Sequence, residues 1–295
     1  MKKYRILFLA FCFLLVSLLL VVFLQSHEII VLNPKGIIGL KEKNLMILMT
    51  LLMLIVVVPV FILAGIVIWK YRASNPKGKY RPDWDSNLLA EGIWWGLPCI
   101  IVLIMGVITW KGCVELDPFR PLDSTKKPLT VQVVALQWKW LFIYPEQGVA
   151  TVNVLQIPEK TPINFSITSD APMNSFWIPQ LGGQIYAMAG MSTKLHLIAD
   201  EVGVFYGTSA NISGVGFAGM NFLTKATSEE DFAAWVESAK VSPNKLTLEE
   251  YNKLVAPSEN NPEEVYVLQE ETLYDQIIMK YMAPSREKEM GCLDN

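Results

Sequence analysis

Two long apolar runs, separated by a basic loop, most constrain what this chain can fold into. The first covers residues 45–69 and contains Pro59, and the second covers residues 92–110 with tryptophans at both of its ends. Each run reaches the about 18 residues that a helix needs to cross a bilayer. A proline is tolerated within such a helix, and tryptophans at its ends are typical of the membrane interface. The sequence therefore predicts a transmembrane helical hairpin over residues 43–111.

The distribution of basic residues predicts the orientation of this hairpin. The connection between the two runs is rich in lysine and arginine, at Lys70, Arg72, Lys77, Lys79 and Arg81. Residues 27–44, ahead of the first run, contain only three lysines, beside two glutamates. Because basic residues concentrate in short cytoplasmic loops, we expect loop 71–89 in the cytoplasm. The long C-terminal part of the chain is then expected on the other side of the membrane.

A further apolar run, at residues 6–24, follows three basic residues at the N-terminus, Lys2, Lys3 and Arg5. It is longer than the about 7–15 residues of a signal-peptide core and long enough to span a bilayer. Residues 1–26 are therefore predicted to be either a secretory signal peptide or an N-terminal anchor, and the length favours the anchor. In both cases this segment directs the rest of the chain to the membrane.

From residue 126 onward the hydrophobic pattern has the period of β-strands. Apolar and polar residues alternate in four short segments, 130–133, 152–154, 163–167 and 194–197. Such alternation is typical of half-buried strands, and prolines and a glycine pair at 182–183 separate the segments. Many short strands at close spacing predict an all-β sandwich or Greek-key barrel, which we expect over residues 126–226.

The last part of the chain, residues 227–295, changes to a helical pattern. Capping boxes of the form Thr-x-x-Glu begin at Thr227 and Thr247, each ahead of an amphipathic segment. Residues 273–282 form a third segment with helical character. The sequence therefore predicts a small helical, aromatic-rich C-terminal extension.

Composition excludes several functional classes. The 295-residue chain has a formal net charge of -3, which gives no basic footprint for binding nucleic acid. Its four cysteines are scattered without a C-x-x-C pair, and its two histidines are His27 and His196. We expect His196 on the solvent-exposed face of a strand, opposite Leu195 and Leu197, rather than at a metal. No credible motif for a nucleophilic triad, a phosphate loop or paired acid–base carboxylates occurs.

A Gly/Ser-rich loop at residues 206–220 has the composition of a metal-binding loop, but it lacks metal-ligand side chains. A soft copper site needs thiolate and imidazole donors, which serine, asparagine and phenylalanine do not provide. Together with one upstream residue, the loop resembles the dinuclear copper motif of cytochrome c oxidase subunit II, position for position. The matching positions are Asn174, Ser209, Asn211, Ser213, Phe217 and Met220. Only Met220 keeps a ligand-type side chain, and a lone thioether is a weak copper ligand. We therefore expect no metal and interpret the six positions as a vestigial copper site.

Further segments resemble subunit II of the cytochrome bo-type ubiquinol oxidases, the branch of the haem–copper oxidases whose subunit II keeps the cupredoxin fold without the copper. The similar segments are 33–36, 69–75, 137–148, 173–179 and 184–191. The C-terminal extension also resembles the aromatic-rich extension of that family. The resemblance implies a cupredoxin-like Greek-key domain in the periplasm, held at the bacterial cytoplasmic (inner) membrane.

The resemblance also implies the partners and the chemistry. This chain is expected to be a non-catalytic subunit, with no cofactor of its own, of a proton-translocating ubiquinol oxidase that reduces O2 to water in aerobic respiration. The partner subunit I is expected to hold the haems and the copper, and the complex to handle ubiquinol within the lipid bilayer. Two alternatives remain: a copper-bearing cytochrome c oxidase subunit II, and a membrane-tethered cupredoxin-like binding module unrelated to respiration.

Three further residues each allow two interpretations. Glu91 lies at the cytoplasmic start of the second apolar run, where an ionisable group is a functional candidate. By resemblance it matches a carboxylate at the mouth of a proton-uptake channel shared with subunit I; otherwise it is an interfacial glutamate that reaches water. Trp138 and Trp140 match aromatic residues on the electron path of copper-bearing relatives. Because no copper is expected here, we interpret both tryptophans as packing residues.

Overall fold

The computed structural model of the protein describes residues 29–76, 78 and 86–282, together with six isolated positions between residues 11 and 22. Most of the apolar run at 6–24 and the middle of loop 71–89 therefore lie outside the described residues. The interpretation of residues 1–26 as a signal peptide or an anchor stays a prediction.

The chain divides into two compact units. Lys41–Asp117 forms one, and Met1–Leu40 together with Pro118–Asn295 forms the other. Two long helices match the predicted hairpin: α1 spans Ile37–Lys70 and α2 spans Leu88–Glu115. Each is long and apolar enough to cross a membrane, and almost none of its residues are buried in this single chain. Apolar residues on every side of a helix are what contact with lipid requires.

Twelve strands are present in the described chain: β1 (Leu129–Leu136), β2 (Lys139–Tyr144), β3 (Val149–Val152), β4 (Val154–Pro158), β5 (Ile163–Ser169), β6 (Asn174–Trp177), β7 (Ile185–Ala187), β8 (Thr193–Leu197), β9 (Gly203–Ser209), β10 (Asn221–Thr227), β11 (Lys245–Leu246) and β12 (Glu264–Leu268). They form a seven-stranded sheet in the order β11-β12-β3-β2-β1-β5-β8 and a five-stranded sheet in the order β4-β10-β9-β6-β7. Strands β1 and β5, β4 and β10, and β11 and β12 run parallel, and the other pairs are antiparallel. The predicted all-β domain is confirmed.

The two sheets face each other across a core of aromatic side chains. Trp140 and Phe142 of β2 pack against Phe176 of β6 and Phe222 of β10, with ring centroids between 5.1 and 6.2 Å apart. Phe176 and Phe222 stack on each other at 5.2 Å. All four rings are buried. This close packing holds β6, which contains Asn174, and β10, which follows the Gly/Ser-rich loop, at a defined spacing.

One predicted strand is interrupted. The alternating segment 152–154 does not form a single strand, because β3 and β4 lie in different sheets on either side of Asn153. Asn153 has a φ of 54, a left-handed conformation that asparagine tolerates better than most residues. The chain therefore passes from one sheet to the other at this residue.

The described part of the C-terminal extension, residues 227–282, contains three helices, α3 (Glu229–Lys240), α4 (Leu248–Val255) and α5 (Leu273–Met282). Thr247 caps α4 as predicted, because its hydroxyl accepts a hydrogen bond from the Glu250 N–H at 3.2 Å. The prediction that Thr227 caps α3 is wrong, because the cap lies one residue later. The Ser228 hydroxyl accepts a hydrogen bond from the Asp231 N–H at 3.1 Å. The extension also supplies β11 and β12, and β12 pairs with β3. It therefore widens the first sheet as well as adding helices.

The segment just before α1 is fixed to the β-sheet domain by backbone hydrogen bonds. The Lys35 N–H donates to the Gln180 carbonyl at 2.6 Å, and the Asp200 N–H donates to the Lys35 carbonyl at 2.9 Å. Gly36 lies so close to the Ile198 carbonyl oxygen that a Cβ at this position would overlap it. Only glycine permits this approach of two backbones.

Candidate functional site

Strands β6 and β9 bring Asn174 and Ser209 together. Phe176 and Ser209 pair across the antiparallel ladder, so the start of β6 lies beside the end of β9. The Ser209 hydroxyl donates to Asn174 Oδ1 at 3.0 Å, and Asn174 Nδ2 donates to the Pro172 carbonyl at 2.7 Å. Asn174 and Ser209 are only 1% and 2% exposed. Two of the six predicted positions therefore form a buried, hydrogen-bonded pair.

Asn211 joins this pair through Ser175. The Ser175 hydroxyl donates to Asn211 Oδ1 at 2.8 Å, and the Ala210 N–H donates to the Ser175 carbonyl at 3.1 Å. The Ser209 Oγ also lies 3.3 Å from the Asn211 carbonyl oxygen. Because a buried polar group without a partner costs about 1–3 kcal/mol, these mutual bonds stabilise the arrangement. We call Asn174, Ser175, Ser209 and Asn211 the polar cluster.

Trp138 shapes the next part of the loop. Its indole N–H donates to the Ser213 carbonyl at 3.2 Å. Its ring lies over Gly216, where a Cβ would come within 2.5 Å of the indole Cδ2. Trp138 has a φ of 63 in the turn between β1 and β2, which is strained for a bulky residue and which this packing offsets. With Trp140 in the core, both tryptophans pack, in agreement with their interpretation.

Phe217 and Met220 lie at the end of the loop, around a short 3-10 helix at Val215–Gly219. The Met220 N–H donates to the Phe217 carbonyl at 3.0 Å, and the Ser209 N–H donates to the Met220 carbonyl at 3.4 Å. The Met220 side chain is fully buried in the core, whereas Phe217 is half-buried. These backbone bonds connect both positions to the polar cluster.

The donors at these six positions do not suit copper. Soft copper sites use thiolate and imidazole ligands. Here the hydroxyl and amide groups of the polar cluster bond to one another, and the Met220 side chain belongs to the hydrophobic core. Within the part of the chain that the structure describes, no three histidine, cysteine, aspartate or glutamate side chains come together. The chemistry of these residues therefore supports a hydrogen-bonded site rather than a metal centre.

Glu91 lies in the first turn of α2 and takes part in its cap. The Asn87 side-chain oxygen accepts from the Ala90 N–H at 3.0 Å, and Glu91 Oε1 accepts from the Asn87 N–H at 3.1 Å. This reciprocal arrangement satisfies two N–H groups at the helix start, where the helix dipole also favours a carboxylate. A role in proton uptake would be additional to this capping contact.

His196 is not on a solvent-exposed face, so that expectation is wrong. The residue is only 7% exposed, and its Nδ1 lies 2.7 Å from Asn164 Oδ1 on the neighbouring strand β5. Burial and the nearby Lys194 lower the pKa of His196, and the Phe119 backbone partly opposes this shift.

The domain has a cupredoxin-like architecture: two packed sheets, an aromatic core, and a loop joined to the start of β6. Two candidate membrane spans precede it in the chain. The chain is thus a membrane-anchored protein of the cupredoxin class. Two family models match it. The model for the periplasmic domain of cytochrome c oxidase subunit II matches residues 146–227, and the COX aromatic-rich motif matches residues 240–285.

Relatives that align along most of the chain identify the family. The cytochrome bo(3) ubiquinol oxidase subunit 2 of Pseudomonas aeruginosa is 55% identical over 249 residues, which cover 84% of this chain and 75% of the relative. The ubiquinol oxidase subunit 2 of Acetobacter aceti is 50% identical over 260 residues, which cover 88% of this chain and 84% of the relative. The chain belongs to the ubiquinol oxidase subunit 2 family. It is therefore a membrane-anchored subunit, with a periplasmic domain, of a multi-subunit haem–copper oxidase complex.

Among solved structures, the periplasmic domain of subunit II of cytochrome oxidase from Bradyrhizobium japonicum covers 41% of this chain and 97% of its own length. The two chains are 24% identical, and the TM-score is 0.39.

Proposed function

We propose that this chain is the non-catalytic subunit II of a proton-translocating ubiquinol oxidase that reduces O2 to water in aerobic respiration. Its partner subunit I carries the haems and the copper, and the complex handles ubiquinol in the bacterial cytoplasmic (inner) membrane. Residues 43–111 anchor the chain, residues 126–226 form the periplasmic cupredoxin-like domain, and residues 227–295 form the extension. Identity of 50% and 55% with two ubiquinol oxidase subunits supports this proposal.

The polar cluster is the observation that best supports a role without electron transfer for this chain. The six positions keep the spacing of the copper motif that they resemble, but asparagine, serine and phenylalanine stand where imidazole and thiolate ligands are needed. The Ser209 hydroxyl donates to Asn174 Oδ1 at 3.0 Å and so joins β9 to β6. Such groups neither accept nor release electrons. We therefore propose that this domain contributes shape and assembly to the complex.

Two alternative functions have less support. A copper-bearing cytochrome c oxidase subunit II needs soft ligands that these positions lack. A cupredoxin-like binding module unrelated to respiration leaves unexplained the similarity to ubiquinol oxidase subunits over 84% and 88% of the chain.

Restoring the ligands tests the assignment of the vestigial copper positions. We expect the full-length chain with Asn174→His, Ser209→Cys, Ser213→Cys and Phe217→His together, with or without Asn211→Glu, to bind copper. Copper per chain and near-infrared absorption are measured on the purified chain in detergent. The matched control carries the two histidines but keeps both serines, and it should bind no copper because it lacks thiolates. If the four-site variant folds but binds no copper, the assignment of these residues to copper-ligand positions is contradicted.

Co-purification tests the oxidase assignment. An affinity-tagged chain should bring down a haem-containing subunit from detergent-solubilised membranes, and the purified fraction should oxidise ubiquinol. Absence of any haem-containing partner contradicts the assignment. Stoichiometric copper in the isolated wild-type chain would instead favour the copper-bearing alternative.

We also propose that Glu91 contributes to the entrance of the proton-uptake path. Because its carboxylate also accepts from the Asn87 N–H at 3.1 Å, a proton role must be separated from a capping role. Glu91→Gln keeps an oxygen acceptor but cannot ionise, and Glu91→Ala removes both functions. If proton uptake needs the carboxylate, both variants lower oxidase turnover to a similar extent. Wild-type turnover in Glu91→Gln would show that only the cap matters.

A further inference from the structure

The C-terminal extension contacts both chain segments that form the vestigial copper site. One segment is the loop at 206–220, and the other is the connection between β5 and β6, which leads into Asn174. We propose that the extension is the device that holds this metal-free loop in its cupredoxin-like conformation. The inference goes beyond the proposed function, because it concerns the order of the loop and does not depend on the oxidase assignment.

The first set of contacts comes from residues 256–263, which we call the strap. Lys139, next to the tryptophan that covers the loop, is only 3% exposed. Its Nζ donates to the Ala256 carbonyl at 3.1 Å and to the Ser258 hydroxyl at 2.5 Å. Burial lowers the pKa of Lys139, with Glu264 opposing the shift. A buried ammonium group requires acceptors, and the strap supplies two.

The strap also touches the loop itself. A Cβ placed on Gly219 would lie 2.5 Å from Asn260 Oδ1, so the loop backbone and the strap are in direct contact. Asn260 has a φ of 51, a conformation in which asparagine is common. One residue further, the Asn261 carbonyl accepts from Asn153 Nδ2 at 3.0 Å. The strap is therefore fixed to the sheets at the point where it meets the loop.

The second set of contacts surrounds Asp170, whose side chain is completely buried at the end of β5. Its carboxylate accepts from the Tyr251 hydroxyl at 2.7 Å and from Lys280 Nζ at 2.8 and 3.0 Å, and also from the Tyr281 hydroxyl. Burial and the Asp170 hydrogen bond raise the pKa of Tyr281 to about 12, so this hydroxyl keeps its proton. Helices α4 and α5 are thereby tied to the connection that begins four residues before Asn174.

These contacts provide the constraint on the loop that metal ligation provides in a metal site. A metal orders a loop by joining ligands from separate segments. Here the two segments are joined to a common third element, the loop at Gly219 and the connection at Asp170. The loop contains Gly214, Gly216 and Gly219, and glycine loses more backbone freedom on ordering than other residues. A constraint from outside the loop should therefore have a measurable effect on its opening.

Hydrogen–deuterium exchange of the purified full-length chain in detergent tests this inference. Asn260→Gly removes the side chain that abuts Gly219 and tolerates the same backbone conformation. We expect the amides of residues 209–220 to exchange about fivefold faster, because the loop opens more readily without this contact. Amides of β2 should keep their wild-type rates. The matched control is Lys253→Gln, which breaks only exposed ion pairs on α4 and should change neither region.

Unchanged exchange at residues 209–220 would overturn the inference. So would an equal rise in the loop and in β2, because it would indicate general destabilisation. If Asn260→Gly yields no folded chain, Ser258→Ala removes one acceptor of Lys139 Nζ and allows the same comparison with a smaller expected rise. Failure of the wild-type chain to bring down a haem-containing subunit contradicts the proposed function alone, so the two failures are distinguishable.

Discussion

Asn153 is the residue at which a single substitution should reveal most about how the two sheets and the strap are joined. It has a φ of 54 between β3 and β4. Its Oδ1 accepts from the Trp140 N–H at 2.9 Å, and its Nδ2 donates to the Asn261 carbonyl at 3.0 Å. It is only 6% exposed, so water cannot readily replace these partners. Asn153→Ala removes both hydrogen bonds, and Asn153→Gly is the matched variant.

The expected cost has two contributions. The buried Trp140 N–H loses its acceptor, which costs about 1–3 kcal/mol. Alanine in a left-handed conformation costs about 1 kcal/mol more, because its Cβ approaches the following carbonyl oxygen. The free energy of unfolding of Asn153→Ala should therefore fall by about 2–4 kcal/mol. Asn153→Gly loses the same hydrogen bonds without the backbone strain, so it should be about 1 kcal/mol more stable than the alanine variant.

Thermal unfolding of the full-length chain in detergent measures this order, with near-ultraviolet circular dichroism reporting on the buried tryptophans. For a domain of this size each kcal/mol shifts the midpoint by roughly 2–4 °C. The wild-type chain should unfold at the highest temperature and Asn153→Ala at the lowest. The reasoning is refuted if the glycine variant is less stable than the alanine variant, or if both unfold with the wild type.

Three further substitutions have expected outcomes in the same unfolding assay. Gly36→Ala should lower stability by about 1–3 kcal/mol, because the new Cβ meets the Ile198 carbonyl oxygen; Gly65→Ala, where nothing lies within 4 Å, should not. Tyr144→Phe should cost about 1–3 kcal/mol, because the Tyr144 hydroxyl pairs with one N–H and one carbonyl of β4 at 2.8 and 3.0 Å. Burial lowers the pKa of His196, so the unfolded chain binds a proton before the folded chain does as the pH falls. The free energy of unfolding should therefore decline as the pH falls from about 6.5 toward the folded pKa. His196→Gln should remove that decline when its stability is compared at pH values above and below this window.

The parts of the fold that depend on local pattern could be predicted from the sequence. An apolar run of membrane-spanning length needs no knowledge of its neighbours, and α1 and α2 cover both runs. Three of the four alternating segments lie within β1, β5 and β8, because one face of each strand meets the core. Their alternation records this burial directly.

The features that depend on distant residues could not be predicted in this way. Asn153 stands in an alternating segment, yet its positive φ sends the chain into the other sheet. His196 stands where alternation predicts exposure, yet it is buried at the edge of the sheet. Asp170 and Lys280 are 110 residues apart, and nothing near either residue in sequence indicates their pairing. Each outcome is decided by tertiary contacts that a periodic pattern does not encode.

The vestigial copper positions occupy an intermediate case. Their spacing and residue types can be read from the sequence, and the resemblance to the copper motif gives the alignment of the six positions. The hydrogen bond between Ser209 and Asn174 could not be predicted, because it depends on how β6 and β9 pair. The left-handed backbone of Trp138, with a φ of 63, could not be predicted from the sequence either, because bulky residues rarely adopt that conformation.

A loop held by protein contacts has different physical properties from a loop held by a metal. Metal ligation couples order to metal supply, and the free energy of metal binding then becomes free energy of folding. In this chain the order of the loop depends on several contacts of modest strength, at Gly219, at Trp138 and within the polar cluster. Removing any one should loosen the loop in part, because the others still hold it at different positions. We therefore expect the domain to reach its assembled conformation without metal delivery, as the proposed structural role requires.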